Sequence, residues 1–489
     1  MAEFYSLPLY IHKLILSFVL ERAESLREWH QHLAILSVCL VWRRLALPAV
    51  FSQLHIDFSP GTFTLKQQLL LVRCVASFHR HLVKHIAIAL TQQLSLSTFA
   101  SNIAAILQLG KVHWLNAQSL LIYAAKDTIK AYDNVYDDGH SIDKVLTAFP
   151  VDLYKSMPQI AQLKMHLVEE NRYTLALTSS IVNRYAARLT WLECTVPIAL
   201  TIRHFSAQLS RLVLDVRSAG MQHLPSACAK SLRILELYEV PECFSWNSFR
   251  CETTPGRIVF GRLRELVLSF DFSVGSKKLE PMALSSYSLQ LHFPQLQRLV
   301  IVDCPLNCHA LFADSHYACL RSVHISGWLS AADMFAQAAA SPIDELRIQM
   351  SRVGAIDSSR FYSATNRLFG TADMQGSHVA ELSLSALELD LDPQMVEWWQ
   401  LSRLNIVDSS VPFGTVLALA NKLLNLQSLC VYTCTVADDG LNQLEQHNSH
   451  PKLTTVSIGF APHTSQNCSK QAQNILRASI GSLCNLHVS

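Results

Sequence analysis

Along most of the chain one spacing of apolar residues keeps returning: apolar, two variable positions, apolar, one variable, apolar. It reads LRILEL from Leu232, LRELVL from Leu263, LQRLVI from Leu296, LRSVHI from Leu320 and IDELRI from Ile343. It continues as VAELSL from Val379, LSRLNI from Leu401, LQSLCV from Leu426, LTTVSI from Leu453 and LCNLHV from Leu483. LTWLEC from Leu189 and LSRLVL from Leu209 also fit, and FSQLHI from Phe51, VKHIAI from Val83, AQSLLI from Ala117 and IAQLKM from Ile160 are weaker copies. The sixteen starts lie 20 to 43 residues apart, a period that suits one short strand plus a return helix or loop per unit. Positions one, four and six of each copy are expected to point into a shared interior of stacked parallel strands, with positions three, five and seven on the opposite face. No unit can bury its face alone, so folding is expected to depend on the stack.

Helical returns are expected at PFGTVLALANKLL (412–424), AADMFAQAAA (331–340) and SKQAQNILRASI (469–480). The interruptions at 241–262, 271–294 and 350–378 are rich in Ser, Pro, Gly and Asn and read as inserted loops, as does the acidic AYDNVYDDGHS at 131–141.

The sharpest unit is LQSLCVYTCTVADDGLNQLEQHNSHPKL, from Leu426 to Leu453. Its ninth residue, Cys434, is small enough for the chain to turn off the strand, and Asp438 and Asp439 would open a helix carrying Leu441 and Leu444. This unit resembles the cysteine-containing class of leucine-rich repeats, and Cys304 occupies the same ninth position after Leu296. The resemblance implies an α/β fold, a leucine-rich-repeat solenoid with a curved parallel sheet and return helices and loops.

The N-terminal segment has a different pattern. In LSVCLVWRRLALPAVFSQLHI (36–56), placing Leu33, Leu36, Leu40 and Leu47 at helical spacing makes one apolar stripe, while Val38, Val41, Trp42 and Leu45 make another. One face can pack on the rest of the chain, and the second asks for a partner. Together with SLPLYIHKLILSFV upstream, the region resembles an F-box: Leu7, Pro8, Ile11, Leu14, Leu16 and Val19 occupy one half of the motif, and Leu33, Leu36, Val38, Cys39, Trp42, Arg43, Leu45 and Ala46 the other. Residues 20–32 lengthen its middle, and Leu9 and Tyr10 stand where acidic residues commonly follow Leu-Pro. The resemblance implies that Leu7, Pro8, Ile11, Leu14, Val38, Cys39, Trp42 and Leu45 bind a Skp-family adaptor and, through it, a cullin ligase. A helical unit this small has too little core to stand alone and needs a neighbour or a partner. The competing expectation is that these helices only cap the open end of the repeat stack. The domain organisation is then 1–56, an F-box-like all-α unit; 57–188, degenerate N-terminal repeats; and 189–489, the solenoid.

Composition narrows the function. With 40 basic and 38 acidic residues among 489 the formal charge is +2, without the basic patch of a nucleic-acid binder. The 13 cysteines are odd in number and contain no CxxC pair, which fits reduced thiols in a cytoplasmic or nuclear protein. Cys304, Cys308 and His309 lack the second half of a zinc site, so no metal is expected. The N-terminus has Glu3 and no early basic cluster, unlike a secretory signal, and no apolar run reaches the roughly 18 residues of a membrane span. Phosphate-binding, nucleophile-elbow, metalloprotease and dinucleotide motifs are all missing. The expectation is a non-catalytic protein without cofactors. It is either the substrate receptor of an SCF-type ubiquitin ligase or a repeat scaffold with no ligase role.

The same register yields the residues expected to meet a protein target on the concave face: Trp191, Arg211, Tyr238, His324, Glu345, Arg347, Arg403 and Tyr432. Glu193, Asp215, Glu236, Ser322, Ser326 and Asn405 are expected beside them. Aromatic and arginine side chains supply the most contact energy in interfaces, which singles out Trp191, Tyr238, Arg347 and Tyr432.

Overall fold

The computed structural model describes residues 8–20, 26–57, 65–90, 96–124, 139–167, 172–195, 207–216, 226–240, 257–270, 290–304, 317, 319–327, 343–351, 358–370, 379–385, 391–407, 411–435, 452–460, 470, 474 and 485–488. The fold is α/β with a parallel, solenoid-like arrangement of strands, and it divides into two compact units, 1–232 and 233–489.

The first unit opens with helices α1 (Leu9–Val19), α2 (Leu26–Ile35) and α3 (Leu40–Val50). Six parallel strands follow: β1 (Gln53–Asp57), β2 (His85–Leu90), β3 (Ser119–Ala124), β4 (Gln162–Leu167), β5 (Trp191–Cys194) and β6 (Arg211–Asp215). Between the first five run α4 (Leu65–Phe78), α5 (Leu96–Ile106), α6 (Gly139–Ser156) and α7 (Arg172–Tyr185), each packed on the next. A short α8 (Ser226–Ser231) closes the unit.

Each strand begins inside one copy of the recurring motif, and the motif's apolar positions line up across the sheet. Position four makes one buried row, Leu54, Ile86, Leu120, Leu163, Leu192 and Leu212; position six makes the next, Ile56, Ile88, Ile122, Met165, Cys194 and Leu214. The carbonyl of position two takes two N–H groups from the following copy. Ser52 O accepts from Lys84 and His85 at 2.8 and 2.9 Å, and Lys84 O accepts from Gln118 and Ser119 at 2.8 and 3.1 Å. The helices cover the row side through apolar spacing of three and four. In α7, Leu177, Ile181 and Tyr185 are buried beside Thr174, Thr178 and Val182.

In the second unit, β7 (Ile234–Val240), β9 (Glu265–Phe270), β11 (Arg298–Cys304), β12 (Ser322–Gly327) and β13 (Glu345–Ser351) pair in parallel with matched motif positions. Then β14 (Val379–Ser385), β15 (Arg403–Val407), β17 (Ser428–Thr435), β18 (Thr455–Phe460) and β19 (Asn485–Val488) continue the sheet. The short β16 (Val411–Pro412) pairs with the end of β17. All sixteen motif copies of the chain are therefore strands.

At the β13–β14 step the register slips by two residues: Leu346 pairs with Ala380 and Ile348 with Leu382, instead of position four with position four. A slip of two keeps every side chain on its own face. It leaves Ala380 opposite a core position, where it is 2% exposed, and the Ser402 hydroxyl brackets its peptide, accepting from Ala380 N and donating to Ala380 O, each at 2.9 Å.

Several elements differ from the sequence reading. Two of the interruptions expected to be loops contain strands: β8 (Arg257–Val259) and β10 (Gln290–His292) pair in parallel as a separate two-stranded sheet, with Phe260 and Phe293 stacked at 5.3 Å behind them. The third holds α9 (Ser358–Gly370), whose Phe361, Tyr362, Thr365, Leu368 and Phe369 are buried at helical spacing. Gly139–Ser141, read as loop, opens α6. The stretch read as one helix from Leu33 is broken at 36–39, where the Cys39 sulfur accepts the Trp42 N–H at 3.4 Å and starts α3. The return helix expected at 412–424 is α10 (Phe413–Lys422). Those at 331–340 and 469–480, the helix expected after Asp438, and the Cys308–His309 pair lie outside the described residues, apart from Lys470 and Asn474. Ser326 and Asp215, expected on the open face, are buried at 7% and 5% exposure. Both sit at position seven, near the C-terminal ends of β6 and β12. Ser326 accepts the Asp303 N–H at 3.1 Å.

At position eight, Glu239 and Asp303 take φ of 54° and 55°, and Gly327 takes 129°. Left-handed backbone strains a glutamate more than an aspartate or glycine. Glu239→Gly is expected to stabilise the protein by roughly 0.5–1 kcal/mol in urea unfolding, since relief of that strain exceeds the added freedom of the unfolded chain. Leu299 and Leu429, each 1% exposed, form the position-four row. Truncating either to Ala is expected to cost about 2–5 kcal/mol, and Cys430→Ala, on the open face, much less. Val300 shares that open face but is 8% exposed between Val267 and His324, so Val300→Ala is expected to fall between the two.

Candidate functional site

Two surfaces carry residues expected to bind: the N-terminal helices, and the open face of the strands. In the helices, Leu16, Ala46 and Val50 form a small buried centre, with Leu20, Leu33, Ile35, Leu36, Trp42 and Leu45 packed against it. Trp42, expected to bind the adaptor, turns partly inward and its indole N–H donates to His12 Nδ1 at 3.0 Å, tying α3 to α1. Leu45 and Ile11 are half-buried, and Cys39 serves as the helix cap. Pro8, Leu14 and Val38 point outward as expected, and Pro8 stands just before α1 rather than within its first turn. Leu7 lies outside the described residues.

Around the outward set the structure adds Leu9, Tyr10, Leu40 and Val41, between 38% and 69% exposed. All of them, with Leu14 and Val38, lie within four residues along the chain of the bonded pair His12–Trp42. α2 meanwhile packs beside β1.

On the first unit's open face the residues of positions three, five and seven stand in rows. Trp191 is half-buried, with the Lys164 ammonium 4.2 Å and the Arg211 guanidinium 4.6 Å from its ring centre. Each cation comes from a neighbouring strand. Glu193 lies beside them, 3.3 Å from Lys164 Nζ and 3.1 Å from His166 Nε2. The His166 hydrogen bond, helped by the Lys164 charge, outweighs burial and holds the Glu193 carboxyl down to about 2.

Next to this cluster is a cavity of about 530 Å³. Apart from Ile56 and Ile88, its lining comes from two rows of register: His55, Ala87, Leu121 and Lys164 in one, Asp57, Ala89, Tyr123 and His166 in the other. Two alanines in succession on β2 remove the side chains that would fill the middle of the face. The sequence reading missed this site because it extended the outward register only to the stronger copies; positions five and seven of the four weaker ones give all eight residues.

The chain matches no protein-family model and no curated protein.

On the second unit's open face most of the expected residues are present but engaged with one another. Arg347 lies 2.7 Å from Glu345 and 3.8 Å from Glu381, Arg403 lies 3.9 Å from Glu381, and Glu381 also accepts from Asn405 Nδ2 at 3.0 Å. Glu345 accepts from the Ser322 hydroxyl at 2.9 Å. The two-residue slip puts Glu381 between the two arginines. His324 is half-buried, and burial together with the Arg347 charge lowers its pKa. Tyr238 donates to Glu236 at 2.8 Å, and Tyr432 is 58% exposed. Burial pushes the Cys228 and Cys434 thiols up to about 12, which suits packing rather than reactivity. Among the described residues no cluster of His, Cys, Asp and Glu could hold a metal ion, and no helix is long and apolar enough to cross a membrane.

Because the Glu193 carboxyl is held well below the ordinary 4.5 in the folded protein, its contribution to stability is present above about pH 4.5 and lost as pH falls toward 2. Melting temperatures of wild type and Glu193→Gln are therefore expected to differ most near neutrality and to converge toward pH 2. A difference that stays constant across that range would show that the ionised carboxylate is not what matters.

Proposed function

We propose that this protein is a non-catalytic substrate receptor of an SCF-type ubiquitin ligase, in which the N-terminal helices bind a Skp-family adaptor and the repeat array holds a protein target. The observation that carries this reading is the exposure of Leu9, Tyr10, Leu14, Val38, Leu40 and Val41 on a helical unit whose buried apolar centre, among the described residues, is Leu16, Ala46 and Val50. Large apolar side chains left exposed in such number on so small a unit are what an interaction site requires, and Leu14 and Val38 are among the residues that the F-box resemblance assigns to the adaptor. The leucine-rich-repeat resemblance is supported by the sixteen motif copies, each of which supplies a strand. The receptor's contribution to rate is proximity: it raises the effective concentration of a target lysine near the charged ligase enzyme.

A second reading, a scaffold whose helices only cap the array, is favoured by the packing of α2 beside β1 and by the inward turn of Trp42. Co-expression with a Skp-family adaptor separates the two. Under the receptor reading the wild-type protein co-purifies with the adaptor, and Leu14→Asp combined with Val41→Asp, both at exposed positions, loses it while the array stays folded. Adaptor binding that survives the double variant, or that never occurs in wild type, leaves only the scaffold. Trp42→Ala is not the discriminating change, because it also removes the bond that joins α1 to α3.

A further inference from the structure

The open-face cavity of the first unit has an uneven chemistry. Its floor, over β2 and β3, is Ala87, Ala89 and Leu121, beside the ring of Tyr123, which is 44% exposed. One wall, on β4, carries Lys164 and His166, and these two bases share the single carboxylate of Glu193. An ammonium has three N–H donors, so Lys164 has capacity for a second anion. The other wall, on β1, carries Asp57 and His55. A volume of about 530 Å³ exceeds one side chain and lies in the range of sites that enclose a short peptide segment.

We propose that this cavity is a subsite for an extended acidic peptide segment of the target, which seats an aliphatic or aromatic side chain over Ala87 and Ala89 and an Asp or Glu carboxylate against Lys164 and His166. The proposal deepens the receptor reading, on which its description of the ligand as a target segment rests. The spacing follows from the sheet. From β2 to β4 is two strand separations, about 9.6 Å, and an extended chain covers that in about three residues. The direction follows from charge: Asp57 repels an acidic residue from the β1 wall, so the acid falls only on the β4 side of the apolar anchor. The paired alanines are what admit the anchor, since any larger residue at either position would occupy its place.

The test uses the full-length protein and a phage-displayed library of random dodecapeptides, selected in parallel on wild type and on Ala89→Trp. Wild type is expected to enrich peptides with an aliphatic or aromatic residue two to four positions from an Asp or Glu. A synthetic peptide of the enriched sequence is expected to bind Ala89→Trp and Tyr123→Ala at least tenfold more weakly in fluorescence polarisation. Lys164→Glu is expected to shift selection toward Lys or Arg at the acidic position. The proposal is overturned if wild type enriches nothing that Ala89→Trp does not, or if the peptides bind the variants equally. Should Ala89→Trp fail to fold by circular dichroism, Tyr123→Ala and Lys164→Glu decide the question. Peptide selection needs no adaptor, so loss of adaptor co-purification with selection intact overturns the ligase reading alone, and the reverse result overturns the subsite alone.

Discussion

Each strand of the array finds its backbone hydrogen-bond partners in the strands before and after it, and its buried rows continue into theirs. The position-two carbonyl that accepts two N–H groups from the next copy recurs from Ser52 to Thr190 in the first unit and from Arg233 to Arg321 in the second, and it resumes at Ser402 and Gln427. The apolar rows of positions four and six run in the same direction. A single copy has neither bond nor burial, so the stability of each repeat is a property of its interfaces with its neighbours. The opposite face carries none of this burden, which leaves positions three, five and seven open to residues chosen for something other than folding.

The β13–β14 step shows what the constraint tolerates. The strands shift by two residues, the core faces stay matched, and the Ser402 hydroxyl bonds both sides of the Ala380 peptide beside the backbone bond from Ser402 N to Ala380 O. On the open face the same shift moves Glu381, a position-three residue, opposite Arg347 at position five while it still faces Arg403 at position three. One carboxylate thereby joins two arginines that belong to strands on either side of it.

The strands were legible because a spacing of apolar residues is what a strand with one buried face requires, and even the weak copies at Phe51, Val83, Ala117 and Ile160 obey it. The two-residue slip was not legible, since it leaves the alternation of faces untouched. Nor were β8, β10 and α9, which lie in segments whose Ser, Pro and Gly content suggests loops and whose apolar residues, such as Phe260, Phe293 and Phe361, form a pattern too short to stand out. Position seven failed for Asp215 and Ser326, which are buried, although Asp57, Ala89, Tyr123 and His166 at the same position face the open side. In the helical unit the apolar character was readable, but which face turned outward depended on the break at 36–39 and on the His12–Trp42 bond, and neither leaves a mark in the spacing. The cavity residues were within reach of the same register that located Trp191 and Arg347; what hid them was that two of the decisive residues are alanines, which matter by what they leave empty.

The energetics of the open face follow from how its charges are arranged. Arg298 with Glu265, Arg347 with Glu345 and Arg403 with Glu381 form exposed or half-exposed pairs across or along the strands. Such pairs are worth only about 0–1 kcal/mol each to stability, and a partner that meets them exchanges one set of charge contacts for another with little net gain in affinity. Charges so placed govern orientation and reject mismatched partners more than they hold matched ones. The holding must come from apolar contact, and among the described residues of these faces it is available at the exposed rings of Tyr432 and Tyr238 and at the alanine-floored cavity framed by Tyr123. Only the last of these is concave, and concavity is what allows a single side chain to be desolvated on most of its surface. The cavity and the Lys164–Glu193–His166 group beside it therefore combine, within five strands, a place that supplies binding energy with charges that set direction.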